Sequence, residues 1–403
     1  MISTLLVLAL ALLGNSPRVA DKVELADGTK LEGRIVFEDE SLLILRTGTR
    51  DREIEKQNVV RSTSRAAAHR EAIETWIGLG PRDVPGVVAL AESSKRDDLL
   101  EESRLFALQV LLIDPANAAA RELCGHEEAR GSWYVREGGR KVEWTKLLKS
   151  HDDFGDPWEL ETTHYRVRTN LPLPQALEVA FSLECHYLAF RDAFGRDLRL
   201  LEVVLPLHAS VHADSKSFPE VTSGRKAHFA PVSRTLFVDA SAGLDVRMLV
   251  HEATHATLFG TANADALGRA NIPAWLDEGL AVYMETAVQG SAGKLFHGRQ
   301  GSDRSWYRRH AEEKDPYDLS RVLNFETADF LASSRSDLKY AQAYTLVDFL
   351  THGEGGKYRE GFSRFVKSAY LGKSSQTHFK AAIGVDDKVL ERAWKAFVGS
   401  TAK

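Results

Sequence analysis

Hydrophobic and polar positions along the chain follow three patterns in succession. Residues 21–64 show short alternating runs, which are typical of strands. Residues 65–150 place apolar positions at helical spacing, and the remainder mixes strand-like runs with long helical stretches. The succession predicts an α+β multidomain chain, in which a β module and a helical module precede a larger mixed region.

The first region predicts a small β module. Its alternating runs are separated by turn signals such as Asp27-Gly28. Four or five strands in about 45 residues indicate an SH3-like β-barrel over residues 21–64. Such modules usually pack or bind partners, so we assign it no chemistry.

Residues 65–150 predict a helical-hairpin region with a terminal β-hairpin. Its helices are expected over residues 66–79, 97–113 and 116–124. Residues 107–117 resemble the junction between tetratricopeptide helices, but no second complete copy follows. Together with the first module, this region is a candidate for contacting a protein partner.

The third region predicts a mixed unit over residues 160–290 with a helical continuation over residues 291–403. Strands are expected over residues 164–169, 198–207, 226–230 and 235–239, and helices over residues 174–194 and 243–259. Gly260 is expected to end the second of these helices. Beyond residue 285 the pattern is mostly helical.

Composition narrows the class of protein. The 403 residues are 43% hydrophobic and 27% charged, which is typical of a globular protein with two or three domains. A net charge of −5 and a pI near 6.3 argue against nucleic acid or an anionic membrane surface as a partner. No stretch beyond the N-terminal leader is apolar for long enough to span a bilayer.

The N-terminus predicts export. Residues 2–13 are an almost unbroken apolar run that suits the hydrophobic region of a signal peptide, which we place over residues 1–20. A periplasmic or extracellular location is therefore expected, with an uncleaved anchor or a buried N-terminal helix as alternatives. The two cysteines, Cys124 and Cys185, are read as small buried apolar residues or as an interdomain disulfide.

An HExxH motif carries the strongest chemical signal. His251 and His255 are four residues apart in a predicted helix, so both imidazoles lie on one face and can reach one metal ion. Downstream, Glu278 follows a predicted helix start at Asn271, the expected cap, and Pro273. Together these residues predict a three-ligand Zn²⁺ site. The alternative is a buried histidine pair beside a surface glutamate.

Each residue type suits a distinct role at such a site. Two neutral imidazoles and the carboxylate of Glu278 would leave one zinc position open for water. Zn²⁺ lowers the pKa of that water and polarises a carbonyl. Glu252 points about 100° around the helix from its neighbour His251, so it suits a general base that delivers the proton to the leaving amine.

At these positions the chain resembles the gluzincins, HExxH metallopeptidases whose third ligand is a glutamate. The likeness is to the aminopeptidase-N-like branch, whose second helix reads W-L-x-E-G-x-A-x-Y-x-E. The matching residues are Trp275, Leu276, Glu278, Gly279, Ala281, Tyr283 and Glu285. The resemblance implies a zincin-like catalytic domain, zinc-dependent peptide hydrolysis and a peptide or protein substrate.

The same branch carries a tyrosine that stabilises the oxyanion, and the resemblance places that role on Tyr340. Tyr344 and Tyr283 can be confused with it, and a half-buried core tyrosine is the structural alternative. The branch's G-x-M-E-N motif, which holds a substrate's free amine, is absent upstream of His251. An endopeptidase is therefore expected rather than an aminopeptidase, and exported bacterial peptidase-MA-like proteins resemble the whole layout better.

Three further expectations concern the cleft and the rival function. The strand over residues 235–239 is expected to line the cleft and pair with an extended substrate. His228, His297 and His310 are expected to be structural or surface residues rather than oxyanion stabilisers. The rival to an enzyme is a weakly active or inactive zincin-fold scaffold of the cell envelope.

Overall fold

The computed structural model describes residues 20–403 except residues 81, 138, 204, 220–225, 263–270, 287–303 and 333. Within these residues the chain is a mixed α+β protein with three β-sheets and many helices, which confirms the predicted class. The predicted signal peptide lies outside the described residues except for Ala20. Among the helices of the described ranges, none is long and apolar enough to cross a membrane.

The first sheet has five antiparallel strands in the order β4-β3-β2-β1-β5. They are β1 Asp21–Leu25, β2 Lys30–Glu38, β3 Leu42–Thr47, β4 Arg50–Glu55 and β5 Val59–Thr63. Alternate positions bury a small separate core that includes Val23, Ile35 and Leu43. Asp21 ties this sheet to the next region, because its carboxylate accepts from the backbone N–H of Ile35 at 2.7 Å and of Arg65 at 2.8 Å.

The second region is helical and ends in a small antiparallel sheet. Its helices are α1 Arg65–Gly78, α2 Val84–Arg96, α3 Leu100–Ile113, α4 Ala118–Leu123 and α5 Trp144–Leu147. Its strands are β6 Glu127–Ala129, β7 Ser132–Glu137 and β8 Arg140–Glu143. Helix α2 was not predicted; Asp83 caps it through the N–H of Gly86 at 2.9 Å. Cys124 and Cys185 are both free, buried thiols, as one of the two alternatives predicted. The interdomain disulfide does not form.

The second large sheet has the order β12-β13-β11-β10-β9. Its strands are β9 Trp158–Glu161, β10 Tyr165–Thr169, β11 Leu207–His212, β12 Ala227–Ala230 and β13 Thr235–Asp239. The three central strands run parallel, and β9 and β12 pair antiparallel at the two edges. Helix α6 Leu173–Phe190 continues through one turn of π-helix, Arg191–Gly195, into the short α7 Arg196–Leu198. Trp76 and Phe106 of the helical region stack on Phe181 of α6, so both regions share one core.

The strand predicted over residues 198–207 is wrong. Leu200 and Val203 are buried as the apolar pattern suggested, but the segment is not a strand and makes hydrogen bonds to β2 of the first sheet. The N–H of Glu202 donates to the carbonyl of Val36 at 2.7 Å, and Arg34 donates to the carbonyl of Val203 at 2.8 Å. The strand of the second sheet begins only at residue 207, as β11.

Two predicted helix signals are also corrected. The motif helix is α8 Val246–Ala262, so Gly260 does not end it. A Cβ at Gly260 would lie 3.1 Å from Leu207 and 3.2 Å from Val203, so the small residue serves close packing on β11. Asn271 does not cap the next helix, since Pro273 holds the cap position and the N–H of Asn271 donates to the carbonyl of Ala369.

The rest of the described chain is helical, as predicted. The helices are α9 Ala274–Glu285, α10 Arg304–Ala311, α11 Leu319–Leu323, α12 Thr327–Leu331, α13 Ser336–Gly356, α14 Arg359–Tyr370, α15 Gln376–Ile383 and α16 Asp387–Thr401. Helix α9 lies between α8 and α13. At Gly279 a Cβ would lie 2.7 Å from the carbonyl oxygen of Ala343, so the backbones of α9 and α13 approach as closely as only glycine permits.

Candidate metal centre

Two neighbouring helices supply the groups predicted to bind metal. His251 and His255 lie one turn apart on α8, with ring centroids 4.9 Å apart, and Glu278 faces them from α9. The two imidazoles therefore lie on one face of the helix, as the HExxH spacing predicted, because α8 is helical throughout the motif. The structure brings all three predicted ligands into one group.

The three ligands converge through particular atoms. Oε2 of Glu278 lies 3.3 Å from Nε2 of His251 and 3.6 Å from Nε2 of His255. This oxygen is buried and has no hydrogen-bond partner among the described residues. Donor atoms at about 2.0–2.2 Å from one tetrahedral zinc ion lie about 3.3 Å from each other. The residues present therefore fit a zinc ion held between them.

Two further carboxylates support the histidines from behind. Nδ1 of His251 donates to Glu285 at 2.7 Å, and Nδ1 of His255 donates to Asp277 at 2.8 Å. Such bonds fix the ring orientation and leave Nε2 for a metal. Partners of this kind are expected for metal-binding histidines, but the sequence alone did not identify them. A signal existed, since Asp277 adjoins Glu278 and Glu285 follows it by seven residues, or two helical turns.

The carboxylates also set the electrostatics of the two histidines. Burial is the largest influence on both rings and opposes their charge, but contacts with Glu278 and Glu285 outweigh it and raise the pKa of His251 to about 9. Contacts with Asp277 and Glu278 raise the pKa of His255 well above its usual value in the same way. Protons and a metal ion therefore compete for the Nε2 atoms.

Glu252, the predicted general base, faces the same space from α8. Its side chain is buried, with 8% of the residue exposed. Burial raises the pKa of Glu252, while the charges of His255 and His251 act in the opposite direction. A carboxylate with a raised pKa takes up a proton more readily, which suits transfer of a proton from water to an amine.

A cleft of about 830 Å³ opens over these residues. On one side it is bounded by β12 and the start of α8, and on the other by α10, α12 and α13. The prediction that β13 lines the cleft is wrong. β13 is the second strand of its sheet, and the edge strand β12 borders the cleft through Ala227, His228 and Phe229.

Of the three tyrosines that the sequence left open, Tyr340 borders the cleft. Its ring centroid lies 6.3 Å from that of His251. Tyr344, one turn further along α13, is buried against Tyr307, and Tyr283 contacts His352 through its hydroxyl at 2.8 Å.

The spare histidines divide as follows. His228 borders the cleft and stacks on Phe237 of β13 with ring centroids 4.9 Å apart. His310 is buried and contacts Thr345 through Nδ1 at 2.9 Å, which is a structural position. His297 lies outside the described residues.

Comparison with known proteins adds one family match. A family model described as a protein of unknown function (DUF1570) matches residues 245–373. The matched segment contains the three candidate ligands, both supporting carboxylates and Tyr340. None of the curated proteins matches the chain.

Proposed function

We propose that this chain is a zinc-dependent metallopeptidase that cleaves peptide bonds within extended polypeptides. One observation carries the proposal. The Nε2 atoms of His251 and His255 meet at a buried, unpartnered oxygen of Glu278, while each Nδ1 donates to its own carboxylate. Histidines held in one orientation by carboxylates are typical of metal ligands.

The roles of the residues follow from their positions. His251, His255 and Glu278 would hold Zn²⁺, which supplies Lewis acidity toward a carbonyl and makes water acidic near neutral pH. Glu252 takes the proton from the attacking water and passes it to the leaving amine. Tyr340 donates a hydrogen bond to the oxygen that becomes negative as the carbonyl is attacked.

The cleft favours an extended peptide as substrate. Among the strands of the described residues, β12 has a partner on one side only, so its other edge can pair with a substrate backbone. The sequence lacks the motif that would hold a free α-amine, which favours an endopeptidase.

The domain organisation and the location of the protein are also part of this proposal. We infer a zincin-like catalytic unit over residues 160–290 with its helical part over residues 291–403, an SH3-like barrel over residues 21–64 and a helical-hairpin region over residues 65–150. The sheet order β12-β13-β11-β10-β9, followed by α8 and α9, supports the first of these. The apolar run at residues 2–13 supports export to the periplasm or beyond.

A cleavage assay tests the proposal. Full-length protein is assayed for bound zinc and for cleavage of a mixed peptide library, beside Glu252→Gln and Glu128→Gln, which changes an exposed glutamate on β6. Loss of the general base should lower kcat by about 10²–10⁴-fold without removing zinc, and the control should match the unaltered protein. Equal cleavage by Glu252→Gln would overturn the mechanism.

The rival function is a binding scaffold without hydrolysis. Stoichiometric zinc combined with no cleavage of any library peptide would favour that reading. The chain has all three candidate zinc ligands and the candidate general base, which favours an enzyme over a scaffold.

A further inference from the structure

A second group of histidine and glutamate side chains lies away from the cleft, where the helical region meets the second large sheet. His69 comes from α1, Glu102 from α3, His164 from the residue before β10, and Glu184 from α6. All four are buried, with at most 3% of any residue exposed. The fold brings these side chains together from distant positions, and His69 and Glu184 are 115 residues apart in the chain.

Donor atoms of His69, His164 and Glu184 lie close enough together to share one ion, and Glu102 lies beside His69. Nε2 of His69 lies 3.2 Å from Oε2 of Glu184 and 3.7 Å from Oε1 of Glu102. The first distance is close to the 3.3 Å between His251 and Glu278 in the cleft. Ligand atoms of His69, His164 and Glu184 all lie within 4.8 Å of one another.

The unsatisfied ring nitrogens of His69 point to a bound ligand. Its side chain is fully buried, and neither Nδ1 nor Nε2 has a hydrogen-bond partner among the described residues. Oε2 of Glu102 is likewise buried without such a partner. Buried polar atoms without hydrogen bonds are unfavourable, so an arrangement that leaves several of them without partners calls for a bound group.

The local charge has the same implication. The carboxylates of Glu102, Glu184 and Glu202 lie together with one guanidinium, that of Arg191, which lies 3.0 Å from Glu202. With neutral imidazoles the formal sum is −3 + 1 = −2, a charge that a single divalent cation cancels. Uncompensated charge in a protein interior is strongly unfavourable.

Protonation of both imidazoles would also balance the charge, but the contacts of His69 favour a metal. A protonated His69 would carry two buried N–H groups. Among the described residues neither nitrogen has an acceptor in hydrogen-bond geometry, although Oε2 of Glu184 lies 3.2 Å from Nε2. A metal at Nε2 would satisfy that nitrogen and leave only Nδ1 unpaired.

We propose that His69, His164 and Glu184 form a buried structural site for a divalent metal ion of the zinc class, with Glu102 beside His69 as a neighbouring carboxylate. Two imidazoles and carboxylate oxygens suit Zn²⁺. His164 Nδ1 now donates to Glu184 at 2.7 Å. Metal binding displaces that proton and moves the two atoms apart by about half an ångström. The ion would join α1 to α6 and to the start of β10. This site does not depend on the proposed peptidase activity.

Metal content tests the site with the full-length protein. After equilibration with zinc and removal of the excess, elemental analysis should give two zinc ions per chain. His69→Gln should bind one, the double variant His251→Ala/His255→Ala should bind one, and the combined triple variant none. A control change of another buried histidine, His126→Gln, should keep two. Two ions in His69→Gln, or none in the double variant, would overturn the second site.

The same design separates this proposal from the peptidase. One zinc in the unaltered protein that disappears only in His69→Gln would support the buried site and overturn the cleft site. If His69→Gln does not fold, the zinc content of the unaltered protein still tests the buried site. Crystals measured at the zinc absorption edge should show an anomalous peak at each group, and a peak confined to the cleft would overturn the buried site.

Discussion

Glu285 accepts a hydrogen bond from Nδ1 of His251 at 2.7 Å, although 34 positions separate the two residues in the chain. Glu285 and Glu278 lie on the same helix, so α9 carries a candidate ligand and also the group that orients another ligand on α8. Asp277 repeats the relationship with His255 at 2.8 Å. The candidate metal centre is therefore a property of how α8 and α9 pack.

Replacing Glu285 by Gln should weaken zinc binding about 10- to 100-fold, because the amide keeps the shape but loses the charge that strengthens His251 as a ligand. Competition with a fluorescent zinc chelator measures the affinity. Glu128→Gln, on the exposed face of β6, serves as the control and should leave the affinity unchanged. Equal affinities for both variants would contradict the supporting role of Glu285.

Gly279→Ala should lower the free energy of unfolding by about 1–3 kcal/mol, since the added methyl group meets the backbone of α13. Urea unfolding followed by circular dichroism measures the loss. Gly399→Ala is the matched control: Gly399 lies in α16, where a Cβ meets nothing within 4 Å. That change should be neutral or stabilising by up to about 1 kcal/mol. A Gly279 variant as stable as its control would show that the two helices can separate freely.

Tyr340→Phe should reduce kcat by about 10²–10³-fold while zinc content stays constant, because the hydroxyl acts on the charge that develops in the transition state. Steady-state kinetics on a peptide found by the library assay provide the measurement. Tyr344→Phe removes a hydroxyl one turn away that does not border the cleft, and it should keep most of the activity. Comparable kcat values for the two variants would remove Tyr340 from the mechanism.

His310 should make the fold sensitive to mild acid. Burial is the main cause that lowers the pKa of His310 from 6.5 to about 4 in the folded chain. Between these pH values the unfolded chain binds the proton and the folded chain does not, so stability falls as the pH falls. The whole interval corresponds to about 3 kcal/mol of unfolding free energy.

Urea unfolding at several pH values between 7 and 4 checks this expectation. His310→Asn should flatten the dependence of unfolding free energy on pH, whatever its effect on stability at pH 7. The control is His378→Asn, which changes an exposed ring and should leave the slope as it is. An unchanged slope in His310→Asn would mean that the ring takes up its proton equally well in the folded chain.

The sequence predicted those parts of the site that depend on local spacing. His251 and His255 share a helix face because they are four residues apart, and the position of Glu278 within a second helix was readable from its flanking motif. Asp277 and Glu285 were missed because their role depends on which imidazole each one reaches across the interface between helices. Only the packed arrangement of α8 and α9 supplies that pairing.

Longer-range relationships were less accessible. The apolar run over residues 198–207 looked like a strand, yet its backbone groups bond to β2, which lies more than 150 residues earlier in the chain. Gly260 had the appearance of a helix stop, but its small size serves a contact with Leu207 and Val203. His69 carried no local signal at all, since its neighbours in the buried group come from three other elements.

Helix α9 has a consequence for how the protein tolerates change. None of its twelve residues is exposed: each is buried or partly covered, by the core, by α13 or by the groups of the metal centre. Surface helices usually offer a solvent face on which substitutions accumulate at little cost, and α9 offers none. In a saturation mutagenesis screen for folded, zinc-loaded protein, α9 should stand out as an uninterrupted stretch of intolerant positions.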